Sequence, residues 1–421
     1  MSLVHLLLLA IVALSLLLML WRPRDLPEAW WVCGGALLLV ALRLVPLQAA
    51  GHAVAEGSDV YLFLIGMMLL SALARGQGVF DWVASTAVRQ ARGSAPRLFL
   101  LLYLAGTVVT ICMSNDATAV VLTPAVLAAA TRAKARPLPL LFVCAMIANA
   151  ASFVLPISNP ANLVVFRGAM PPLGRWLAAF AVPSLLSIVT TYFVLRGLFR
   201  KDLREPIEAD VEDHALTAAG KFVVAGLGLV VAILLVASAR HMDLGLPTCL
   251  AAIVVALAVS VLARQSPLPL LREVSWPTLL LVAGLFVMVQ AVESIGALQL
   301  TGRWLAWCGS LTPAAGATVV GFAVGIGNNL LNNLPLGLLA GATVTATHTQ
   351  GLLASAVLVG VDLGPNLSVT GSLATILWLL ALRREKLNVS AWDFFKVGVF
   401  AMPVAMAAAL GGLALMHSMG H

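Results

Sequence analysis

Charge is scarce in this sequence: Asp, Glu, Lys and Arg together make up 10% of its 421 residues. Soluble domains carry roughly 25%, so an ordinary water-exposed surface is excluded. Cysteine is scarce as well. Cys33, Cys112, Cys144, Cys249 and Cys308 all lie in or beside apolar runs, and no CxxC spacing occurs. That argues against a disulfide framework or a zinc site, and no metal or cofactor is expected. GxSxG, HExxH and paired GxGD-type aspartates are absent, so the chain does not read as an enzyme. Long hydrophilic stretches are missing except for RKDLREPIEADVEDHALTAAGK, residues 200–221. The net charge of +7 is dispersed over short loops, so nucleic acid is not an expected partner.

What is present is apolar surface. The chain is 61% hydrophobic, and runs long enough to cross a bilayer recur throughout. The reading is an all-α polytopic membrane protein with membrane lipid as its solvent. Spans are expected at about 3–21, 29–47, 59–74, 138–167 and 176–196, then at 221–239, 246–263, 277–292, 351–382 and 394–416. The first run lacks a basic n-region and a small-residue cleavage site, so it reads as a retained span. A loop carrying His52, Glu56 and Asp59 is expected before the third span, and an interfacial amphipathic helix within 74–97.

The chain is organised around SNDATAVVLTPAV, residues 114–126, inside the apolar segment 98–131. A carboxylate at membrane depth costs about 2.5–3.5 kcal/mol on insertion scales, which makes Asp116 a functional candidate. Each half of the segment has only about 15 residues, or roughly 22 Å of helix. Both flanks are basic. A re-entrant hairpin with Ser114, Asn115 and Asp116 at its tip satisfies both facts. The run 138–167 is interrupted by PISNPAN (156–162), where proline removes a backbone donor and breaks the helix.

The second half has the same layout: a hairpin over 312–349 centred on GNNLLNNLPLGLLAG (327–341), and a broken span 351–382 interrupted by DLGPNLSVTGS (362–372). Gly66 and Gly78 match Gly284 and Gly296 at an offset of 218 residues, and Asn115–Asp116 match Asn332–Asn333 at 217. Asn149 matches Asp362, and Asn159 matches Ser372, at 213. Five spans per half is odd, so two inverted repeats are expected, 1–200 and 221–421, joined by a cytoplasmic linker, 201–220. Of the 25 basic residues, 20 fall on one side of this map, which puts both termini outside.

The polar groups gathered by hairpin tips and breaks are amides and hydroxyls. Ser114, Asn115, Thr118, Asn159, Asn328, Asn329, Asn332, Asn333, Thr370 and Ser372 are the expected substrate-binding set, with Ser158, Asn162 and Asn366 beside them. About half should touch substrate, and the rest should cap or tie helices. Asp116 and Asp362 are the expected proton-coupling pair. Such a set suits a neutral polyhydroxyl solute better than an anion.

SNDATAVVLTPAV resembles the SNT-type hairpin motif of the ion transporter superfamily, and PISNPAN resembles its PIGNPxN break. GNNLLNNLP with GVDLGPNLSVTGSLATILW (360–378) resembles the arsenite efflux permeases of that superfamily, the arsenical pump membrane proteins. The resemblance implies export of arsenite or antimonite as the neutral trihydroxide across the bacterial inner membrane, in exchange for protons. It also allows association with a cytoplasmic arsenite-stimulated ATPase. Two departures stand out. Ser158 replaces the usual glycine, and Asp116 stands where dicarboxylate carriers have threonine, which argues against a dianion. A sodium/proton antiporter or another anion carrier of the same fold is the alternative. Cys112 lies three residues before Asn115, but it reads as a small apolar residue and not as a thiol ligand for arsenic.

Overall fold

The computed structural model describes residues 3–167, 170–208 and 215–419; positions 209–214 of the expected linker lie outside them. The described chain is helical. The first half contains α1 (Leu3–Trp21), α2 (Glu28–Ala41), α3 (Leu47–Glu56), α4 (Ser58–Gly76), α5 (Val79–Ala91), α6 (Ala95–Cys112), α7 (Thr123–Arg132), α8 (Pro137–Ala150), α9 (Pro160–Val165) and α10 (Leu173–Leu198). The second contains α11 (Ala218–Ala239), α12 (Gly245–Ala263), α13 (Leu268–Glu273), α14 (Trp276–Ser294), α15 (Leu298–Gly309), α16 (Pro313–Leu331), α17 (Asn333–Ala346), α18 (Leu352–Leu363), α19 (Leu373–Arg384) and α20 (Ala391–Ser418).

Among the described residues nine helices are long and apolar enough to cross a membrane: α1, α4, α6, α10, α11, α12, α14, α16 and α20. At 1.5 Å per residue, 19 residues reach about 28 Å, close to the hydrocarbon thickness. Leu14 and Leu17 on α1, Val254 and Val261 on α12, and Phe193 on α10 face outward and exposed. Water would penalise such a belt, whereas lipid is its natural solvent. The protein is a multi-pass membrane protein.

Three details differ from the sequence reading. The expected loop around His52 and Glu56 is the helix α3, started by Pro46 and placing the two side chains at i,i+4, 3.4 Å apart. The run 29–47 gives only the 14-residue α2, because the chain turns at Leu42–Val45 before that proline. The first arm of the first hairpin is longer than the expected length of about 15 residues: α6 has 18, and its counterpart in the second half, α16, has 19. Pro96 and Pro313 sit in their first turns, where a missing N–H is harmless, so each helix starts ahead of its apolar run.

Packing pairs helices far apart in sequence. α4 lies on α12, α2 on α14, and α10 on α20. Glycines set two of these crossings. A Cβ on Gly66 would meet the Thr248 backbone of α12 at 2.9 Å, and one on Gly284 would meet Val32 of α2 at 2.9 Å. α5 and α15 are short amphipathic helices, and each follows a glycine with positive φ, Gly78 at 71° and Gly296 at 74°. Only glycine takes that conformation freely.

The start of the linker, residues 201–208, is built into one end of the molecule. Ile207 N–H donates to the Gly93 carbonyl (3.1 Å) and Glu208 N–H to the Ala133 carbonyl (2.9 Å). The two ends of the segment α6–α7 therefore lie side by side. Arg136 pairs with Asp202 at 2.7 Å and with Glu205, and Lys134 pairs with Glu208 at 2.5 Å. The Glu208 carboxylate pushes the Lys134 ammonium up from its ordinary value.

Candidate functional site

The first hairpin folds back through small residues. Gly106 on α6 packs against Thr118 and Leu122, and the hydroxyls of Thr110 and Thr118 are 2.8 Å apart. At the tip, the Ser114 hydroxyl accepts from Ala117 N–H at 3.2 Å, and Asn115 Oδ1 from Asp116 N–H at 2.9 Å. The return begins as a π-helical stretch, Ala117–Leu122. Pro124 has no N–H to continue an α-helical ladder there, and Thr123 instead donates its hydroxyl to the Ala119 carbonyl at 2.7 Å.

The first break spans the residues between α8 and α9. One amide organises it: Asn162 Nδ2 donates to the carbonyls of Ser152 (2.9 Å), Leu155 (3.2 Å) and Pro156 (3.2 Å). Ser158, the departure from glycine, donates to the Ile111 carbonyl at 3.1 Å and so ties the break to the end of α6. Asn159 caps α9 by accepting from Ala161 N–H at 3.0 Å. Its Nδ2 donates to Oδ1 of Asp362 at 2.8 Å, on the last turn of α18. Asn149 Nδ2 reaches Asn366 Oδ1 at 2.9 Å. The two breaks are joined side chain to side chain.

The second break is held by the second hairpin. Asn328 Nδ2 donates to the carbonyls of Gly360 (3.0 Å) and Val361 (2.7 Å), Asn329 Nδ2 to Gly364 (3.1 Å), and Asn332 Nδ2 to Thr370 (3.2 Å). The Thr370 hydroxyl returns to the Asn329 carbonyl at 2.9 Å, and Ser372 caps α19 by accepting from Thr375 N–H at 3.1 Å. These amides hold carbonyls in the last turn of α18 and in the break after it, which is structural work. Asn333 is buried in the first turn of α17, and Thr370 is exposed.

A cavity of about 180 Å³ lies against the first hairpin tip. Ser114 and Asp116 line it, with Pro160 at the start of α9 and Leu373 at the start of α19. Its remaining wall was not anticipated from the sequence: Met67, Met68 and Ser71 on α4, and Ser275 and Thr278 at the start of α14. The last two share a hydroxyl contact of 2.8 Å. The polar pair beside Pro277, where a span begins, was the available signal. Arg75 also lines the cavity, ion-paired with Glu273. Among the described lining residues there is no cysteine.

The expected set thus divides. Ser114 and Asp116 face this cavity. Asn115 and Thr118 are buried in the hairpin behind it. Asn159 and Asp362 form the buried joint between breaks, and Asp362 Oδ2 is a buried oxygen without a hydrogen-bond partner. Asn328, Asn329, Asn332, Thr370 and Ser372 hold backbone.

α9 separates this cavity from a larger one of about 600 Å³. Pro160 at its start faces the small cavity, and Leu163 and Phe166 face the large one. Glu56, Asp59, Asp243 and Arg167 line the large cavity. Arg167 pairs with Glu56 at 3.0 Å and lies 5.3 Å from the Phe286 ring centroid.

The family model described as CitMHS, citrate transporter, matches residues 16–361. An arsenical pump membrane protein of Escherichia coli K12 is 28% identical over 443 aligned residues, covering 96% of this chain and 97% of its own. One from Yersinia enterocolitica is 25% identical with the same coverage. An uncharacterized transporter of Mycobacterium tuberculosis is 26% identical over 83% of this chain and 84% of its own. Among solved structures, the YdaH transporter of Alcanivorax borkumensis shares the fold, with a TM-score of 0.62 at 15% identity over 97% of this chain and 99% of that one.

Proposed function

The chain belongs to the citrate-transporter family, CitMHS, and from that premise we propose that this transporter exports trivalent arsenite or antimonite as the neutral trihydroxide, in exchange for protons. The chemistry of the small cavity carries the reading. Its wall offers the Asp116 carboxyl and hydroxyls, and the one cation among its described lining residues, Arg75, is paired with Glu273, which lines it too. A citrate-like anion would meet Asp116 with no free positive charge among the described lining residues, and like charges repel strongly at low dielectric. A small trihydroxide can donate to Asp116 and exchange hydrogen bonds with Ser114, Ser275 and Thr278. The relatives named as arsenical pumps support the same substrate class.

Protons couple through the two carboxyls. Burial favours the neutral form of a carboxyl, and helix starts favour the anion. Asp116 stands beside substrate, whereas Asp362 has a buried oxygen with no donor, which a proton would neutralise. Substrate enters from the Arg75 side, the cytoplasmic side by the charge distribution, and leaves through the cavity beyond α9. Both termini are outside, and the halves 1–200 and 221–421 are inverted repeats. The matched glycine crossings and the matched caps Asn159 and Ser372 support that relation. A soluble arsenite-stimulated ATPase would meet the cytoplasmic end carrying the 199–208 segment.

The test is arsenite uptake into everted membrane vesicles. Accumulation should need a proton gradient and stop when it is collapsed. Sodium uptake with no arsenite accumulation would instead identify a sodium/proton antiporter.

A further inference from the structure

A separate cavity of about 540 Å³ opens between the starts of α10 and α18 and the end of α20. Its described lining holds one fixed charge, a cation, together with two imidazoles. Arg175, His241 and His417 line it, and no Asp or Glu does so among the described residues. The adjoining acidic cavity, which shares Phe166 and His241 with it, has the opposite character. Trp176 and Phe180 form an apolar floor, both fully buried. Gln350 and Gly351 bring the start of the 12-residue α18 to its edge, and Arg175 is in the first turn of the 26-residue α10. Free amides at both starts add partial positive charge.

All these groups stand at helix ends, the level of a bilayer's polar boundary. Beside them Leu177 on α10 and Leu415 on α20 are exposed, so lipid reaches the rim. A site with a cationic mouth and an aromatic floor, entered from lipid, fits an amphiphile with one anionic head. We propose that this cavity binds the headgroup and first acyl carbons of an anionic phospholipid of the phosphatidylglycerol or cardiolipin kind. The phosphate sits between Arg175 and His417, and the chain lies along Trp176 and Phe180. Such a lipid would bridge the α10–α20 pair to the start of the broken span.

Native mass spectrometry of the detergent-purified full chain tests this, with reconstitution into phosphatidylcholine nanodiscs with and without phosphatidylglycerol. Wild type should retain phosphatidylglycerol in preference to phosphatidylcholine. Arg175→Gln should lower retention about fivefold and Arg175→Gln with His417→Gln further. Both variants should melt as wild type does in phosphatidylcholine, since these side chains are exposed. Equal retention by wild type and variants, or no preference between the two lipids, overturns the site. Stabilisation of delipidated protein by inorganic phosphate, lost in Arg175→Gln and unaffected by added lipid, overturns the lipid assignment in favour of a soluble anion.

Discussion

Asn159 donates its Nδ2–H to Oδ1 of Asp362 over 2.8 Å while its own Oδ1 caps α9. One side chain thus fixes the start of one half-helix to the end of another from the opposite half of the sequence. Asn159→Ala should lose the cap, about 1 kcal/mol, and leave a buried carboxyl oxygen without its donor, about 1–3 kcal/mol more. A melt unchanged from wild type would mean the joint contributes nothing to stability. Asp362→Asn keeps an oxygen for Asn159 and removes titration. It should fold but accumulate arsenite at a rate independent of the imposed pH gradient. Wild-type gradient dependence in this variant would remove Asp362 from the proton path.

Asp116 differs because it faces the cavity. Asp116→Asn should abolish gradient-driven accumulation and also change the arsenite concentration that half-saturates exchange, since the same group lines the proposed substrate cavity. Binding of arsenite, read as protection from proteolysis, should survive. If vesicles carrying Asp116→Asn accumulate arsenite at the wild-type rate under a gradient, the assignment fails and Asp362 is left as the carrier.

Local chemistry was legible in the sequence. The breaks announce themselves through proline beside amide, because a helix end depends on a few neighbouring residues, whereas Asn159 and Ser372, expected at the substrate, cap α9 and α19. Scarce charge was enough to indicate an all-helical membrane protein. Three things were not legible, all for reasons of packing between distant segments. Met67, Met68, Ser275 and Thr278 become cavity wall only because α4 and α14 stand opposite the hairpin tip. The amides of Asn328, Asn329 and Asn332 could have faced solute or backbone, and no spacing rule separates those fates. The α3 helix was missed because His52, Glu56 and Asp59 read as a loop, although Pro46 can start a helix.

The matched glycines give a stability test with internal controls. Gly66→Ala and Gly284→Ala each push a methyl group into a helix crossing, and should lower stability by about 1–3 kcal/mol. Gly76→Ala and Gly228→Ala put theirs into open space, so they should be neutral or mildly stabilising in a helix. Thermal melts of the four variants in one detergent decide it. Equal tolerance at all four positions would mean the crossings are looser than described.

Arsenic invites a thiol mechanism, but the cavity wall argues against one. Cys144 is buried and Cys112 half-buried, and neither lines the cavity. A thiolate trap would also hold cargo that must be released. Cys112→Ser and Cys144→Ser should therefore keep arsenite efflux within about twofold of wild type, as expected for small, near-isosteric changes. Complete loss in both at normal expression would restore a thiol to the mechanism.

Cysteine labelling tests the topology. Ile207 and Glu208 hydrogen-bond to the carbonyls of Gly93 and Ala133, so the turn before α6 and the turn after α7 sit at the same end of the molecule. Arg92, Arg97, Arg132, Lys134 and Arg136 surround that end, and positive charge is retained on the cytoplasmic side. The segment between is therefore expected to enter and leave the membrane on one face, although α6 alone has the length of a span. In a background with the five native cysteines replaced by serine, Ser94→Cys and Lys134→Cys should react with an impermeant maleimide in everted vesicles and stay protected in intact cells. Reaction of one from each side would make 95–132 a full crossing and reverse the orientation of every helix after it. Reaction of both from outside would keep the hairpin and place both termini in the cytoplasm.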